Sequence, residues 1–134
     1  MKVLIDTNVL ISAVLNDKSI PNKILRLVSE SDKYELFLTS QNITEFHEVM
    51  SRKLPKYSKF VEQFLAKLDY KLVGCIPIEN STKIRDPKDQ PILNAAVQNK
   101  LDVVITGDKD FLCLNLKHPR CLTPAEFYQK EMAN

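Results

Sequence analysis

Short apolar runs of strand length alternate along this chain with apolar residues at helical spacing. The run Val103–Ile105 is continuous and β-branched, which is typical of a parallel strand buried on both faces. Similar runs occur near the start, near residue 36, near residue 75 and near the end. The pattern therefore predicts strands at residues 3–5, 34–38, 72–78, Val103–Ile105 and Arg120–Leu122.

The segments between these runs carry helical periodicity and helix-start signals. Thr39 and Ser40 can cap one helix, Pro55 ends it, and Pro91 stands in the first turn of a later one. Thr123 and Glu126 form a capping box that opens a terminal helix. The residues predicted to face inward are Ile20, Ile24, Leu25, Leu27, Val28, Ile43, Phe46, Val49, Met50, Phe60, Val61, Phe64, Leu65, Leu68, Ile92, Leu93, Ala96 and Val97.

Strands that alternate with helices favour a parallel sheet covered by helices on both faces. No repeat, linker or low-complexity tract interrupts the chain. We therefore predict a single α/β domain over residues 1–134, a three-layer α/β/α sandwich with about five parallel strands. The carboxyl ends of such strands share one edge, where ligands bind.

Composition excludes several classes of protein. The chain has 134 residues, 44% of them apolar and 27% charged, which is the balance of a folded domain. Two distant glycines cannot build a P-loop or a dinucleotide fingerprint. Three cysteines without C-x-x-C spacing argue against a disulfide framework or a thiolate zinc site. We expect the cysteines to be small buried residues and the protein to be cytoplasmic, without a signal peptide or a membrane span.

Acidic residues follow the predicted strands in a pattern that indicates a metal site. Asp6 ends the first strand and Asp108 follows the fourth by two residues. Glu45 lies in the early turns of the helix after the second strand, and Asp89 lies at the start of the helix after the third. These four acids should therefore meet at one edge of the sheet. A carboxylate cluster is tolerable around a hard cation, so we expect one or two Mg²⁺ or Mn²⁺ ions and phosphoryl chemistry.

Most of the acids also have a structural interpretation. Asp6, Asp89 and Asp110 could cap helices, Glu45 could be a solvated helix acid, and Asp86 could form a turn before Pro87. Asp86 and Asp110 compete with Asp89 and Asp108 for the third and fourth metal-ligand positions.

Four short motifs follow one another along the chain: DTNVL at 6–10, TE at 44–45, DPKD at 86–89 and TGDKDF at 106–111. In series they resemble the PIN-domain family of small metal-dependent ribonucleases, and the resemblance covers almost the whole chain. Many members are toxins of bacterial and archaeal toxin–antitoxin pairs, and the sequences of the last two motifs look most like a subgroup of such toxin components.

The resemblance implies an endoribonuclease that hydrolyses single-stranded RNA. Asp6, Glu45, Asp89 and Asp108 would hold the metal, and Asn8 and Thr106 would support the site. It also implies a cognate antitoxin and a homodimer. The alternative is a PIN-like module that binds RNA or protein without cutting it. Receiver domains and haloacid-dehalogenase-type phosphatases share the alternation of strands and helices, but they require a second acid at the first strand, where this chain has Asn8.

A basic segment follows the second acid motif. Its cations could contact RNA phosphates, with Tyr57 and Phe60 stacking on bases. The alternative is a solvated helix end with Phe60 in the core. The basic residues are Arg52, Lys53, Lys56 and Lys59.

Overall fold

The computed structural model describes residues 1–74 and 83–132. Five parallel strands form one sheet in the order β3-β2-β1-β4-β5. Val3 pairs with Leu36 on one side and with Val103 on the other, so β1 lies at the centre. The strands are β1 (Lys2–Ile5), β2 (Glu35–Thr39), β3 (Lys71–Val73), β4 (Val103–Ile105) and β5 (Arg120–Leu122).

Helices connect the strands and cover both faces of the sheet. Short 3₁₀ turns at Pro55–Tyr57 and Pro87–Asp89 precede two of them. The α-helices are α1 (Thr7–Leu15), α2 (Ile20–Glu30), α3 (Ser40–Lys53), α4 (Ser58–Lys67), α5 (Gln90–Gln98), α6 (Lys109–Leu112) and α7 (Pro124–Glu131).

Two apolar layers lie on opposite faces of the sheet, because successive side chains of a strand point to opposite sides. Val3 and Ile5 belong to the layer formed with α1, α2, α3, α4 and α7. Leu4 belongs to the other layer, which includes Ile92 of α5 and Phe111 of α6. The predicted three-layer parallel fold is confirmed.

The predicted elements agree with the structure except in details. The third strand ends at Val73, and residues 75–78 of the prediction lie outside the described part of the chain, as does Cys75. Ile20, Phe60 and Val97 are 38%, 50% and 45% exposed, so the prediction that they face inward is wrong. Each lies on a side of its helix that remains exposed to solvent.

The cysteine prediction also needs correction. Cys113 is exposed and Cys121 is half-buried, because they follow α6 and lie on edge strand β5 respectively. Across residues 1–74 and 83–132, no helix has the length and apolar character needed to span a bilayer.

Candidate metal centre

Asp6 occupies the turn where β1 ends and α1 begins. Its backbone N–H continues the sheet by donating to the Ile105 carbonyl at 2.9 Å, and its side chain is 7% exposed. Oδ1 accepts a hydrogen bond from the Thr7 N–H at 2.8 Å, so Asp6 caps α1. The capping interpretation is confirmed, but Oδ2 points elsewhere and has a second partner.

Thr106, fully buried after β4, joins two of the predicted metal ligands. Its hydroxyl donates to Asp6 Oδ2 at 2.9 Å and accepts a hydrogen bond from the Asp108 N–H at 3.0 Å. One side chain thus fixes the carboxylate that ends β1 relative to the loop that follows β4.

Asp108 caps the short helix α6. Its Oδ1 accepts a hydrogen bond from the Asp110 N–H at 2.9 Å. The sequence-based interpretation of Asp110 as this cap is wrong, because Asp110 already lies in the first turn, where its own side chain is beyond the capping position.

Three carboxylates come together at this edge. Asp89, Asp108 and Asp110 each offer one oxygen, and these oxygens lie within 4.8 Å of one another. Asp89 stands at the start of α5 without making a capping hydrogen bond. Its Oδ2 atom is buried and has no hydrogen-bond partner within the described residues.

Burial and like charge perturb the acids of this cluster. Burial, above all, together with the charge of Asp108 and hydrogen bonding to it, raises the pKa of Asp89 to about 7. Burial also raises the pKa of Asp6, against the hydrogen bonds from Thr106 and Thr7, and the charges of Glu45 and Asp108 add to it. Asp6, Glu45, Asp89 and Asp108 therefore share one electrostatic environment, which we name the acidic edge.

Glu45 reaches this edge from the second turn of α3. Its Oε1 accepts a hydrogen bond from Gln41 Nε2 at 3.0 Å, and the same Nε2 donates to the Lys88 carbonyl. Gln41 thereby ties the helix that carries Glu45 to the 3₁₀ turn that carries Asp89. Sequence reasoning missed Gln41, although its position one helical turn before Glu45 is a signal that could have found it.

Asn42 is a second residue that sequence reasoning missed. It is fully buried, and its Oδ1 accepts hydrogen bonds from the N–H and hydroxyl of Thr39 at 3.1 and 2.9 Å. Its Nδ2 donates to Thr7 Oγ1 at 3.0 Å, which links the first turns of α3 and α1. A Thr-x-x-Asn variant of the capping box is the sequence signal for this residue.

Asp86 and Asn8 flank the acidic edge, whereas Asp110 belongs to the carboxylate cluster with Asp89 and Asp108. Asp86 accepts from the Lys88 N–H at 3.0 Å and caps the 3₁₀ turn, so its turn-forming role is confirmed. Asp110 Oδ1 accepts a hydrogen bond from Arg85 Nε at 2.8 Å. Asn8 is exposed in the first turn of α1.

The predicted basic segment lies away from these acids. At 1.5 Å per residue, Arg52 is about 10 Å further along α3 than Glu45. Tyr57 and Phe60 are about half exposed, so the interpretation that places Phe60 in the core is wrong. The segment's cations, all exposed, are Arg52, Lys53, Lys56 and Lys59.

An apolar groove lies beside this basic segment. Leu15, Tyr57 and Phe60 expose 55%, 52% and 50% of their surface there. A cavity of about 370 Å³ adjoins a second of about 400 Å³, and Val14 and Phe60 line both. The groove-lining residues of the first cavity are Val14, Leu15, Met50, Leu54, Tyr57 and Phe60.

The donor set of the acidic edge fits a hard divalent cation. It consists of carboxylate oxygens with one supporting hydroxyl, and no His or Cys belongs to the carboxylate cluster found in the described residues. The unpartnered Asp89 Oδ2 is an atom that such a cation would satisfy. The residues present therefore suit Mg²⁺ or Mn²⁺.

Comparisons with known proteins agree with this architecture. The chain is 35% identical to the protein MJ1680 of Methanocaldococcus jannaschii, described as uncharacterized, over 97% of this chain and 91% of that protein. The fold of this chain is similar to that of a chain in the crystal structure of VapBC2 from Rickettsia felis, which is bound to a DNA fragment from the VapBC2 promoter. The TM-score is 0.64 at 14% identity, covering 91% of this chain and 97% of that one. The profile of the family described as PIN domain matches residues 2–110. The chain therefore belongs to the PIN-domain family.

Proposed function

We propose that this protein is a metal-dependent endoribonuclease that hydrolyses single-stranded RNA at the acidic edge. The proposed metal ligands are Asp6, Glu45, Asp89 and Asp108, which would hold one or two Mg²⁺ or Mn²⁺ ions. Thr106 and Asn8 would support the site. A single nuclease domain over the whole chain is part of the same proposal.

The observation that carries this proposal is the unsatisfied carboxylate of Asp89. Its Oδ2 is buried and has no hydrogen-bond partner among residues 1–74 and 83–132, and two further carboxylates lie beside it. A buried polar atom without a hydrogen bond costs about 1–3 kcal/mol, so folding leaves an unmet demand for a positive ligand at this atom. A divalent cation bound there would meet this demand and would also relieve the repulsion among the acids.

A bound ion would lower the pKa of a water and stabilise the leaving oxygen. The chain's own residues then have positioning roles. Thr106 keeps the carboxylate of Asp6 at a fixed orientation relative to the Asp108 loop. Gln41 holds Glu45 near the turn that carries Asp89. No covalent intermediate on the protein is needed, because the attacking group is water.

We also propose that the protein is the toxin of a toxin–antitoxin pair. The apolar groove supports this part of the proposal, since apolar side chains clustered at an otherwise polar surface mark protein interaction sites. Its basic border favours a partner segment that combines apolar and acidic residues. The same cations remain candidates for contacting RNA, and a second copy of the chain is the competing occupant of the groove.

The test of the nuclease proposal is cleavage of a labelled single-stranded RNA with Mg²⁺ or Mn²⁺, with EDTA as the metal-free control. Wild type should cut only with metal, and Asp6→Asn should lose at least 100-fold in rate. Asp32→Asn removes the same charge from an exposed loop before β2 and should cut normally. A folded wild type that neither cuts RNA nor gains thermal stability from either metal would support the non-catalytic binding module instead.

A further inference from the structure

Arg85 is held against the acidic edge by an ion pair that the proposed metal chemistry does not use. Its Nε donates to Asp110 Oδ1 at 2.8 Å. A carboxylate oxygen of Asp110 lies within 4.8 Å of oxygens of Asp89 and Asp108. The guanidinium therefore borders the carboxylate cluster rather than a remote part of the surface.

The two partners of this pair differ in exposure. The Arg85 side chain is 85% exposed, whereas that of Asp110 is 15% exposed. Nε is the donor that Asp110 occupies, and the four N–H donors of the two Nη atoms have no protein partner within the described residues. Asp110 thus fixes one side of the guanidinium and leaves a donor pair facing solvent.

Stability gives little reason for this arrangement. Ion pairs with an exposed partner contribute little to stability and are screened by salt. An arginine anchored through Nε is, however, pre-organised for a bidentate contact with a phosphate, because its remaining donors form a planar fork. Less side-chain entropy is then lost when the phosphate binds.

The charge around the site also favours a phosphate group as the ligand of Arg85. A nucleic-acid backbone that approaches the acidic edge meets repulsion from the carboxylates. Lys88 and Lys109 also lie in the turns at this edge, but neither forms an ion pair within residues 1–74 and 83–132. Arg85 is the cation that the structure fastens to the cluster.

We propose that Arg85 is a substrate-contacting residue that binds a backbone phosphate of the nucleic acid through its Nη donors, with Asp110 holding it in place. This inference rests on the proposed function and adds a specific phosphate contact to it. It also gives Asp110 a role other than metal ligation.

The experiment measures binding of a fluorescein-labelled single-stranded RNA by anisotropy in Mn²⁺, in an Asp6→Asn background that suppresses cutting. Arg85→Gln should weaken binding about 10-fold, and Arg85→Lys about 3-fold, since lysine keeps the charge but loses the fork. Arg120→Gln is the matched control, because Arg120 is an exposed arginine at the amino end of β5, and its binding should equal that of the parent.

Salt dependence separates a phosphate contact from a structural role. For single strands, each phosphate contact contributes about 0.7 to the slope of log affinity against log salt. Arg85→Gln should therefore lower the slope by about 0.7, while Arg85→Lys should retain it. In the otherwise wild-type chain, Arg85→Gln should raise KM for cleavage more than it lowers kcat.

Two outcomes would overturn the inference in distinguishable ways. If wild type cuts RNA with metal but Arg85→Gln and Arg85→Lys bind RNA with the parent's affinity and slope, the phosphate contact is wrong and the nuclease proposal stands. If wild type neither binds nor cuts RNA, the proposed function fails and this inference fails with it. Circular dichroism of each variant confirms folding, and Arg85→Lys keeps the test valid if Arg85→Gln does not fold.

Discussion

Replacing Asp89 by Asn should stabilise the metal-free protein more at pH 8 than at pH 5. Burial and the charge of Asp108 raise the pKa of Asp89 from an ordinary 3.8 to about 7. Between these values the folded state binds more protons than the unfolded state, so its stability falls as pH rises. The neutral asparagine resembles protonated Asp89, and it escapes this loss above pH 7.

The size of the effect follows from the interval between the two pKa values. Each pKa unit corresponds to 1.36 kcal/mol, so ionising Asp89 costs the folded state at most about 4 kcal/mol over the interval from 3.8 to about 7. At most about 3 kcal/mol of this loss falls above pH 5. Asp89 is only partly buried, and solvent screening reduces the figure. We therefore expect Asp89→Asn to gain roughly 1–2 kcal/mol over wild type between pH 5 and pH 8.

Urea unfolding in EDTA at both pH values measures this difference directly. Asp32→Asn serves as the control, since it removes an exposed carboxylate near the opposite edge of the sheet and should show no comparable gain. Adding Mn²⁺ at pH 8 should reverse the ranking, because wild type binds the ion better than the variant does. Equal stability differences at pH 5 and pH 8 would refute the electrostatic account of Asp89.

Three further predictions concern other parts of the site and its surroundings. Asn42→Ala should lower the free energy of unfolding, measured in urea, by about 2–4 kcal/mol, because it leaves buried partners unsatisfied. The control Gln63→Ala, at an exposed position of α4, should lower the same quantity by less than about 0.5 kcal/mol. Thr106→Val should slow RNA cleavage at least 10-fold while CD shows a native fold, because Asp6 Oδ2 loses its hydrogen bond; unchanged rates would exclude its positioning role. Phe60→Ser should change stability by less than about 1 kcal/mol, since Phe60 is half exposed. It should weaken binding of the proposed antitoxin in a pull-down. If a second copy occupies the groove instead, it should shift the chain to monomer in light scattering.

The fold was predictable because its strongest signals are local. Continuous β-branched runs such as Val103–Ile105 indicate buried parallel strands, and the Thr123–Glu126 capping box fixes the start of α7. The errors fall where burial depends on distant contacts. Helical periodicity assigns Phe60 and Val97 to an inner face, but whether a neighbour covers that face is decided by tertiary packing.

For the candidate site, the sequence predicts which acids follow the strands, but not which role each acid has. Topology alone brings residues that follow β1 and β4 to one edge, which accounts for Asp6 and Asp108. It does not decide between Asp108 and Asp110, because two residues of the same turn can exchange a capping role and an ion-pair role. The structure assigns the cap to Asp108 and the Arg85 ion pair to Asp110.

Residues that support the acids escape sequence analysis for a related reason. Gln41 and Asn42 make their contacts across 47 and 35 positions of sequence. A glutamine one turn before Glu45 and a Thr-x-x-Asn capping box are visible in the sequence, but these signals mark a helix start and do not identify the distant partners of the two side chains. Their hydrogen bonds add to the apolar packing that joins α3 to α1, and they fix the first turn of α3 relative to α1 and to the Asp89 turn. The proposed catalytic site would tolerate displacements of only roughly 0.5 Å. By tying the first turn of α3 to the first turn of α1, the buried amide of Asn42 therefore limits how far Glu45 can move from Asp6.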